Sequence, residues 1–382
     1  MVPAGDLRLK LRDRCDGPCG RGGSSVATII GFPAGKLGDG DKLSGRRIEW
    51  LDLARGIGIV LVVAGHAERG LMAAHIARAA SWRLFDFGLY TFHMPLFMLL
   101  AGLNVSGSLR RGRGDFLRGK LWTIAWPYVL WSLVQGTMLV LLSGMTNGHG
   151  DWTALAKIAW QPISPFWFLY ALMVYMFVVA LVGVRARVLV PLALVGMLVS
   201  HGLDGDTIAH QICHQAVFFV AGVLAADRIR ALPARPGLLP LMAVLWGGAA
   251  LLVPILGEAP YLKPAALPAA ACGIVFVLML ARVLAGSVVQ PLFVQLGRAS
   301  MTIYVMHILG TAGARIALTR LHVPQQAMIY WIVCTAVGLG LPWLAHAILA
   351  RCNALAPLGL APRKRIAPRR PPAVIVMAPA GR

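Results

Sequence analysis

Ten long apolar runs constrain the fold of this chain more than any other feature of its sequence. Each run approaches the roughly 20 residues that an α-helix needs to cross a bilayer. Hydrophobic residues make up 58% of the 382 residues and charged residues only 13%, which excludes an ordinary soluble domain. We therefore predict an all-α, polytopic integral membrane protein with about ten transmembrane helices. The predicted helices are 48–67, 85–104, 121–143, 163–183, 187–201, 208–226, 238–257, 265–285, 300–318 and 327–350.

The Lys and Arg residues between these runs predict the orientation of the chain, because cytoplasmic loops carry an excess of both. With a cytoplasmic N-terminus, the inner loops hold twelve Lys and Arg residues and the outer loops hold seven. We expect a multi-pass protein of the cell inner (cytoplasmic) membrane with both termini in the cytoplasm. Residues 1–46 are then a disordered basic tail, residues 47–350 the transmembrane domain, and residues 351–382 a second basic cytoplasmic tail.

The net charge of +21 follows from this loop bias and from the two tails. Basic segments next to a bilayer are attracted to anionic lipid. We therefore expect the lipid bilayer as a partner and no nucleic acid.

Two ionisable residues, Arg55 and His66, lie within the first apolar run. A charged side chain inside a membrane is costly, so an intramembrane charge indicates a functional site. Eleven residues make about three helical turns, which places both side chains on one helix face about 16 Å apart, with Asp52 one turn before Arg55. Two structural alternatives remain: an interfacial ion pair for Asp52 and Arg55, and a helix-bridging role for His66.

Two blocks of sequence resemble a known family. Residues 47–56 read RIEWLDLARG, and His66 lies ten residues further along. Residues 92–97 read FHMPLF, and Ala101 and Gly102 follow them. These blocks resemble the first and second helices of the membrane acyltransferase 3 family, especially its sugar O-acetyltransferase branch, which is related to fucose 4-O-acetylase.

Two later blocks fit the same family. Residues 166–172 read FWFLYAL and resemble its Trp-Phe-Leu segment, and residues 300–307 read SMTIYVMH and resemble its late helix with Tyr and His. The resemblance extends from about residue 47 to residue 350. These two blocks contain our candidates for substrate binding, which are Trp167, Tyr170, Tyr304 and His307. An interfacial aromatic belt is the alternative for the first two.

The third predicted helix departs from the family pattern. Many relatives carry two arginines three residues apart just before a proline, whereas here Lys120 and Thr123 hold those positions before Pro127. We expect Arg118 and Lys120, in the basic loop 110–120, to bind the acyl donor.

The resemblance implies a membrane O-acyltransferase with acetyl-CoA as its acyl-donor substrate and no bound cofactor. It implies catalytic roles for His66, Arg55 and His93, with Asp52 supporting Arg55. The acceptor expected from the resemblance is a hydroxyl of a cell-surface or exported glycan.

The chemistry of acyl transfer agrees with these residue types. Transfer to a hydroxyl needs a base for the hydroxyl proton and a donor or cation for the developing oxyanion, and histidine suits the first task. His66 lies toward the outer half of the first helix and His93 near the middle of the second, so the two imidazoles can converge. Arg55, near the cytoplasmic end, can bind the phosphates of acetyl-CoA. Whether His66 acts as the base or itself accepts the acyl group stays open.

Other functions fit parts of the pattern. Intramembrane His, Arg and Asp with Gly- and Pro-interrupted helices also suit a secondary transporter or exporter of a glycan or lipid, although the two halves of the chain show no internal similarity. An acyltransferase for a macrolide, peptide or lipid is a third reading. His210 and His214 have metal-binding spacing without a further ligand nearby, so we predict no metal site.

Overall fold

A computed structural model describes residues 48–143, 152–163, 165–205, 207–252 and 263–362. These residues form helices and connecting turns, and they contain no β-strand. Helices suit an apolar chain because each satisfies its backbone hydrogen bonds internally. The predicted N-terminal tail and residues 363–382 lie outside the described residues.

Fifteen α-helices occur in the described ranges, and one π-helical turn, Leu121–Ala125, joins the fourth helix to the fifth. In chain order they are α1 (Glu49–Ala73), α2 (Ala80–Gly102), α3 (Val105–Leu109), α4 (Arg113–Lys120), α5 (Trp126–Leu141), α6 (Trp152–Ala156), α7 (Trp167–Val182), α8 (Ala186–Ser200), α9 (Ile208–Leu224), α10 (Ala226–Arg230), α11 (Leu238–Leu252), α12 (Leu267–Val283), α13 (Gln290–Arg298), α14 (Ser300–Arg320) and α15 (Ala327–Arg351).

Six helical segments in the described part of the chain are long and apolar enough to cross a membrane, which confirms a multi-pass, all-α protein. They are Glu49–Ala73, Ala80–Leu109, Arg113–Leu141, Pro264–Val283, Ser300–Arg320 and Ala327–Arg351. The other four predicted spans correspond to shorter apolar helices, α7, α8, α9 and α11, of 15 to 17 residues. At 1.5 Å per residue the described lengths of these four reach about 22 to 26 Å, less than the roughly 30 Å hydrocarbon core. Within the described residues, six helical segments meet the length requirement, so the predicted count of ten is not confirmed.

Helix α1 lies at the centre of the helix packing and contacts α2, α12, α13, α14 and α15. Glycines allow the closest of these contacts. A Cβ atom on Gly297 of α13 would lie 1.8 Å from the Asp52 carbonyl oxygen, and one on Gly338 of α15 would lie 2.8 Å from Val63 Cγ1. Small residues of this kind let helix backbones approach in a membrane, where burial of apolar surface alone drives little association. The polar residues of α1 are therefore surrounded largely by protein.

Near each end of α1, the ends of helices that the sequence assigns to one side of the membrane lie in contact. At the N-terminal end, the Arg282 guanidinium lies 4.2 Å from the ring centroid of Trp50, and Gln290 Nε2 donates to Glu49 Oε2 at 3.0 Å. At the C-terminal end, Trp82 at the start of α2 packs against Trp331 near the start of α15, with ring centroids 6.0 Å apart.

Several helices extend beyond their predicted limits into charged sequence. Helix α1 continues to Ala73, six residues beyond its predicted end, which places Arg69 on the helix and not in a loop. Helix α14 continues to Arg320, two residues beyond its predicted end at residue 318. Helix α4 carries Arg118 and Lys120, so the prediction of a loop there is wrong. Hydropathy falls at each arginine, but arginine is a good helix former and a partner elsewhere in the fold can hold its charge.

Part of the predicted C-terminal tail packs against α5. The indole N–H of Trp126 donates to the Pro357 carbonyl at 2.7 Å, and that of Trp131 donates to the Leu358 carbonyl at 3.2 Å. Gly359 has a φ of 72°, where a side chain is strained, and its α-carbon faces Pro127. The segment after α15 therefore lies along the start of α5, next to the π-helical turn.

Candidate active site

His66 lines a cavity of about 400 Å³ near the C-terminal ends of α1, α5 and α14. Polar groups of three helices face the same space: Arg69 from α1, Gln135 from α5, and Thr311 and Arg315 from α14. The volume lies within the range of small-molecule sites, and a few polar groups in a mainly apolar wall are typical of such sites. The cavity brings His66 into contact with a space that a small substrate can enter.

His307 lies directly beside His66, although the two residues are far apart in sequence. Their ring centroids are 4.9 Å apart, with the rings inclined by 53°. His307 Nδ1 lies 2.7 Å from the Tyr304 carbonyl oxygen. Since a carbonyl can only accept, Nδ1 carries the proton and Nε2 carries the lone pair. His307 Nε2 is buried and has no hydrogen-bond partner in the described chain, so it is a proton acceptor beside His66.

His93 has the same internal arrangement on α2. Its Nδ1 lies 2.6 Å from the Leu89 carbonyl oxygen, which again assigns the proton to Nδ1 and the lone pair to Nε2. The ring is fully buried and meets Tyr90 edge to face at 4.5 Å, and Tyr90 in turn lies 6.0 Å from His66. The structure therefore places the two predicted histidines, His66 and His93, near the ring of one tyrosine, Tyr90.

A partly buried ion pair lies next to these histidines and Tyr90. Arg69 binds Asp86 through two hydrogen bonds, Nε to Oδ1 at 2.6 Å and Nη2 to Oδ2 at 3.1 Å. Its guanidinium carbon also lies 3.1 Å from the ring centroid of Tyr90, a cation-π contact. Glu68, fully buried, precedes Arg69 on α1. The pair joins α1 to α2 and holds the guanidinium between Tyr90 and the cavity.

Neither Arg69 nor Asp86 was among the residues we selected from the sequence. Asp86 is an acidic residue inside a predicted helix, and Arg69 follows His66 by three residues, the spacing of neighbours on one helix face. Those two signals were sufficient to select both. The predicted end of the first helix at residue 67 had placed Arg69 outside the membrane.

Arg55 and Asp52 form an ion pair toward the other end of α1, with Arg55 Nη1 at 2.7 Å from Asp52 Oδ1. Arg298 joins them from α13, its Nε at 3.7 Å from Asp52 Oδ2. The Asp52 side chain is buried, whereas that of Arg55 is 26% exposed. This group is about three helical turns from His66, so Arg55 and His66 belong to separate places in the structure.

Several other candidates lie away from the His66 cavity. Arg118 is exposed on α4, and Lys120 is half-buried with its Nζ 5.3 Å from the Phe116 ring. The Tyr170 hydroxyl donates to the Ala159 carbonyl at 3.1 Å. Trp167, at the start of α7, is half-buried.

Tyr304 differs from His307, its neighbour one turn along α14. Its hydroxyl donates to the Pro165 carbonyl, and its side chain lines a separate, smaller cavity of about 110 Å³. Of the four candidates for substrate binding, the structure brings only His307 to His66. His210 and His214 stack on α9 with ring centroids 5.7 Å apart, and neither lines the His66 cavity.

Comparison with known families decides the class of this protein. The family model described as an acyltransferase domain matches residues 48–347. The chain belongs to the acyltransferase 3 family. No curated protein and no solved structure gives a significant match. The family and the apolar helices together identify a multi-pass membrane acyltransferase.

The wall of this cavity contains residue types that can take part in acyl transfer. His66 provides an imidazole at the cavity wall, and His307 Nε2 can accept a hydrogen bond from it. Such a bond would hold one nitrogen of His66 protonated and leave the other with a lone pair, as the orienting partner of a catalytic histidine does. Arg69 supplies positive charge at the same wall.

Proposed function

We propose that this acyltransferase moves an acetyl group from cytoplasmic acetyl-CoA to a hydroxyl of a cell-surface or exported glycan, a polysaccharide modification at the inner membrane. The single observation that carries the proposal is the placement of His66, at the wall of a cavity and beside the proton acceptor of His307. We further propose ten membrane crossings with both termini cytoplasmic, the four shorter helices included. The grouping of helix ends at the two ends of α1 supports this topology.

In one form of the proposed reaction, His66 is the general base. An imidazole nitrogen of His66 takes the proton of the acceptor hydroxyl while the oxygen attacks the thioester carbonyl. The tetrahedral oxyanion collapses, the carbon–sulfur bond breaks, and the leaving CoA sulfur takes the proton back from the imidazolium. Arg69 lies at the cavity wall, where positive charge stabilises the oxyanion.

In the other form, His66 is the acyl carrier. One imidazole nitrogen attacks the thioester, the carbon–sulfur bond breaks, and the CoA sulfur leaves with the proton of the other imidazole nitrogen, which gives an acetyl-imidazole. The acceptor oxygen then attacks the acetyl carbon, the carbon–nitrogen bond breaks, and the hydroxyl proton returns to the imidazole. The two forms differ in one observable: only the second gives an acetylated protein when no acceptor is present.

We place the phosphates of the donor at the cluster formed by Asp52, Arg55 and Arg298. Arg55 is partly exposed, Arg298 lies close by, and Asp52 orients Arg55 through their ion pair. Guanidinium groups bind phosphate through paired hydrogen bonds. Arg118 and Lys120 on α4 add basic charge at the end of the helices that we assign to the cytoplasm.

The test uses the purified full chain in nanodiscs with radiolabelled acetyl-CoA and membrane glycan extract. We expect label in the glycan with the wild type, loss of transfer in His66→Gln, and a raised KM for acetyl-CoA in Arg55→Ala. His201→Gln, which changes an exposed histidine at the end of α8, is the matched control and should retain activity. Intact-mass measurement after incubation with acetyl-CoA alone separates base from acyl carrier.

Two results would contradict the proposal. One is a folded wild type that transfers no label to any extract. The other is full transfer by His66→Gln. Absence of transfer combined with loss of glycan export in the His66 variant would favour the transporter function instead.

A further inference from the structure

We propose that the cavity beside His66 takes an acceptor that carries an anionic group, a carboxylate or a phosphate, and that Arg315 binds this group. The inference deepens the proposed function, on which it rests for the identity of the ligand as the acceptor. The observation behind it is the charge of the cavity wall.

Arg315 is a half-buried cation without a carboxylate partner. It lies one helical turn after Thr311 on α14, and both residues line the cavity. No described residue forms an ion pair or a hydrogen bond with its guanidinium. A charge in a membrane-spanning helix is normally paired, or faces a ligand or a water-filled cavity, because lipid cannot solvate it.

Arg69 shows what a paired arginine looks like at the same wall. Its guanidinium binds both carboxylate oxygens of Asp86. Two arginines therefore face the cavity, only one of them held by an acid, and none of the described lining residues is Asp or Glu. The wall carries net positive charge, and an anionic ligand would offset that charge.

Arg315 and His66 face the same cavity of about 400 Å³, which lies within the range of volumes seen for small-molecule sites. An acceptor can thus place its acidic group at Arg315 and its reacting hydroxyl at His66. The planar guanidinium binds carboxylate or phosphate through two parallel hydrogen bonds, so the acid would also orient the acceptor. Gln135 and Thr311 offer further hydrogen bonds to sugar hydroxyls in the same wall.

A lipid headgroup is the other source of an anionic group. Arg315 lies five residues before the end of α14, and a long arginine side chain can extend toward the phosphates at the bilayer surface. The experiment must therefore separate a soluble sugar acid from a lipid phosphate.

The experiment measures protection of His66, not catalysis. The full chain in phosphatidylcholine nanodiscs is treated with diethyl pyrocarbonate, and mass spectrometry follows the rate at which His66 is modified. Glucuronate, glucose 1-phosphate and glucose are the probes, with sodium chloride at the same concentrations as the control for ionic strength. A second set of nanodiscs contains phosphatidylglycerol.

We expect the two acidic sugars to protect His66 at a concentration about tenfold lower than glucose does. Tenfold is the usual effect on affinity of one charge-assisted hydrogen bond. Arg315→Gln should remove that difference and Arg315→Lys should keep part of it. Arg320→Gln, which changes an exposed arginine at the end of α14, should leave it unchanged.

Equal protection by glucose, protection by none of the probes, or an unchanged preference in Arg315→Gln would overturn the inference. Protection by phosphatidylglycerol without added effect of glucuronate would also overturn it and assign Arg315 to lipid. The wild-type comparison of sugars stands even if a variant fails to fold. The readout needs no acyl transfer. If acidic sugars protected His66 in a protein without transferase activity, the anion site would stand and the proposed reaction would be rejected.

Discussion

The ion pair between Arg69 and Asp86 predicts a measurable coupling between α1 and α2. Asp86→Asn keeps one oxygen acceptor but removes the negative charge and one of the two hydrogen bonds to Arg69, those of 2.6 and 3.1 Å. The Asp86 side chain is 7% exposed, whereas that of Arg69 is 34% exposed, so water can partly solvate the arginine that loses its partner. A hydrogen bond to a charged group contributes about 1.5 to 3 kcal/mol, and breaking a fully buried pair costs about 3 to 5 kcal/mol.

We therefore expect Asp86→Asn to lower the free energy of unfolding by about 2 kcal/mol, below the fully buried limit because of the exposure of Arg69. The assay is unfolding by sodium dodecyl sulfate in mixed micelles, followed by tryptophan fluorescence. Arg69→Gln and the double variant complete a thermodynamic cycle. The double variant should be less destabilised than the sum of the two single variants, with a coupling of about 1 to 2 kcal/mol.

Additive effects within about 0.5 kcal/mol would refute this reasoning, because they would show that the two side chains do not depend on each other. If Arg69→Gln lowered the free energy of unfolding and Asp86→Asn did not, the contact between Arg69 and the Tyr90 ring would explain the loss instead. Tyr90→Leu, which removes that ring face, separates the two contributions.

Three further outcomes are expected. His307→Phe should lower kcat by about a hundredfold with little change in the KM for acetyl-CoA, since it keeps a ring but removes the acceptor beside His66. An unchanged kcat, or a rise in KM of the same size as the fall in kcat, would argue against a positioning role. Gly297→Ala should destabilise the protein by about 1 to 3 kcal/mol, because its Cβ would lie 1.8 Å from a backbone oxygen of α1. The control is Gly340→Ala, whose Cβ would have no atom within 4 Å and should not destabilise the protein. Similar unfolding curves for the two variants would contradict the packing argument. Trp126→Phe should speed proteolysis after α15, because the hydrogen bond to Pro357 is lost, and an unchanged cleavage rate would show that this bond does not hold the segment.

The sequence predicts the elements that carry the site better than it predicts their contacts. The sequence blocks around His66 and His93 place both residues on long apolar helices, because apolar runs of this length have few alternatives to a helix in a membrane. The same blocks lie within the region that matches the family. The class of the protein was therefore predictable from local sequence.

The partner of His66 was not predictable in the same way. His307 lies on α14, and its approach to His66 depends on the packing of α14 and α15 against α1. Close approach of backbones at Gly310 and Gly338 sets that packing, with a Cβ on Gly310 only 3.0 Å from the Gly338 α-carbon. Contacts between residues so far apart in sequence follow from the shape of the whole helix bundle.

The helix limits failed where charge entered the apolar runs. Arg69 ended the predicted first helix, yet α1 continues past it because Asp86 from α2 neutralises the guanidinium. Local hydropathy contains no information about a partner on another helix. Arg315 lies inside its predicted helix, 300–318, and we propose that the partner of its charge belongs to a ligand.

Helix α1 is unbroken and free of proline from Glu49 to Ala73. Its rise separates Arg55 from His66 by about 16 Å, and helix bending cannot bring the two side chains together. If Arg55 holds the phosphates of the donor and His66 meets its acyl carbon, the donor needs a flexible arm about three helical turns long between the two. Acetyl-CoA has such an arm in its pantetheine chain, whereas acetyl phosphate has none and would occupy only one end of this helix.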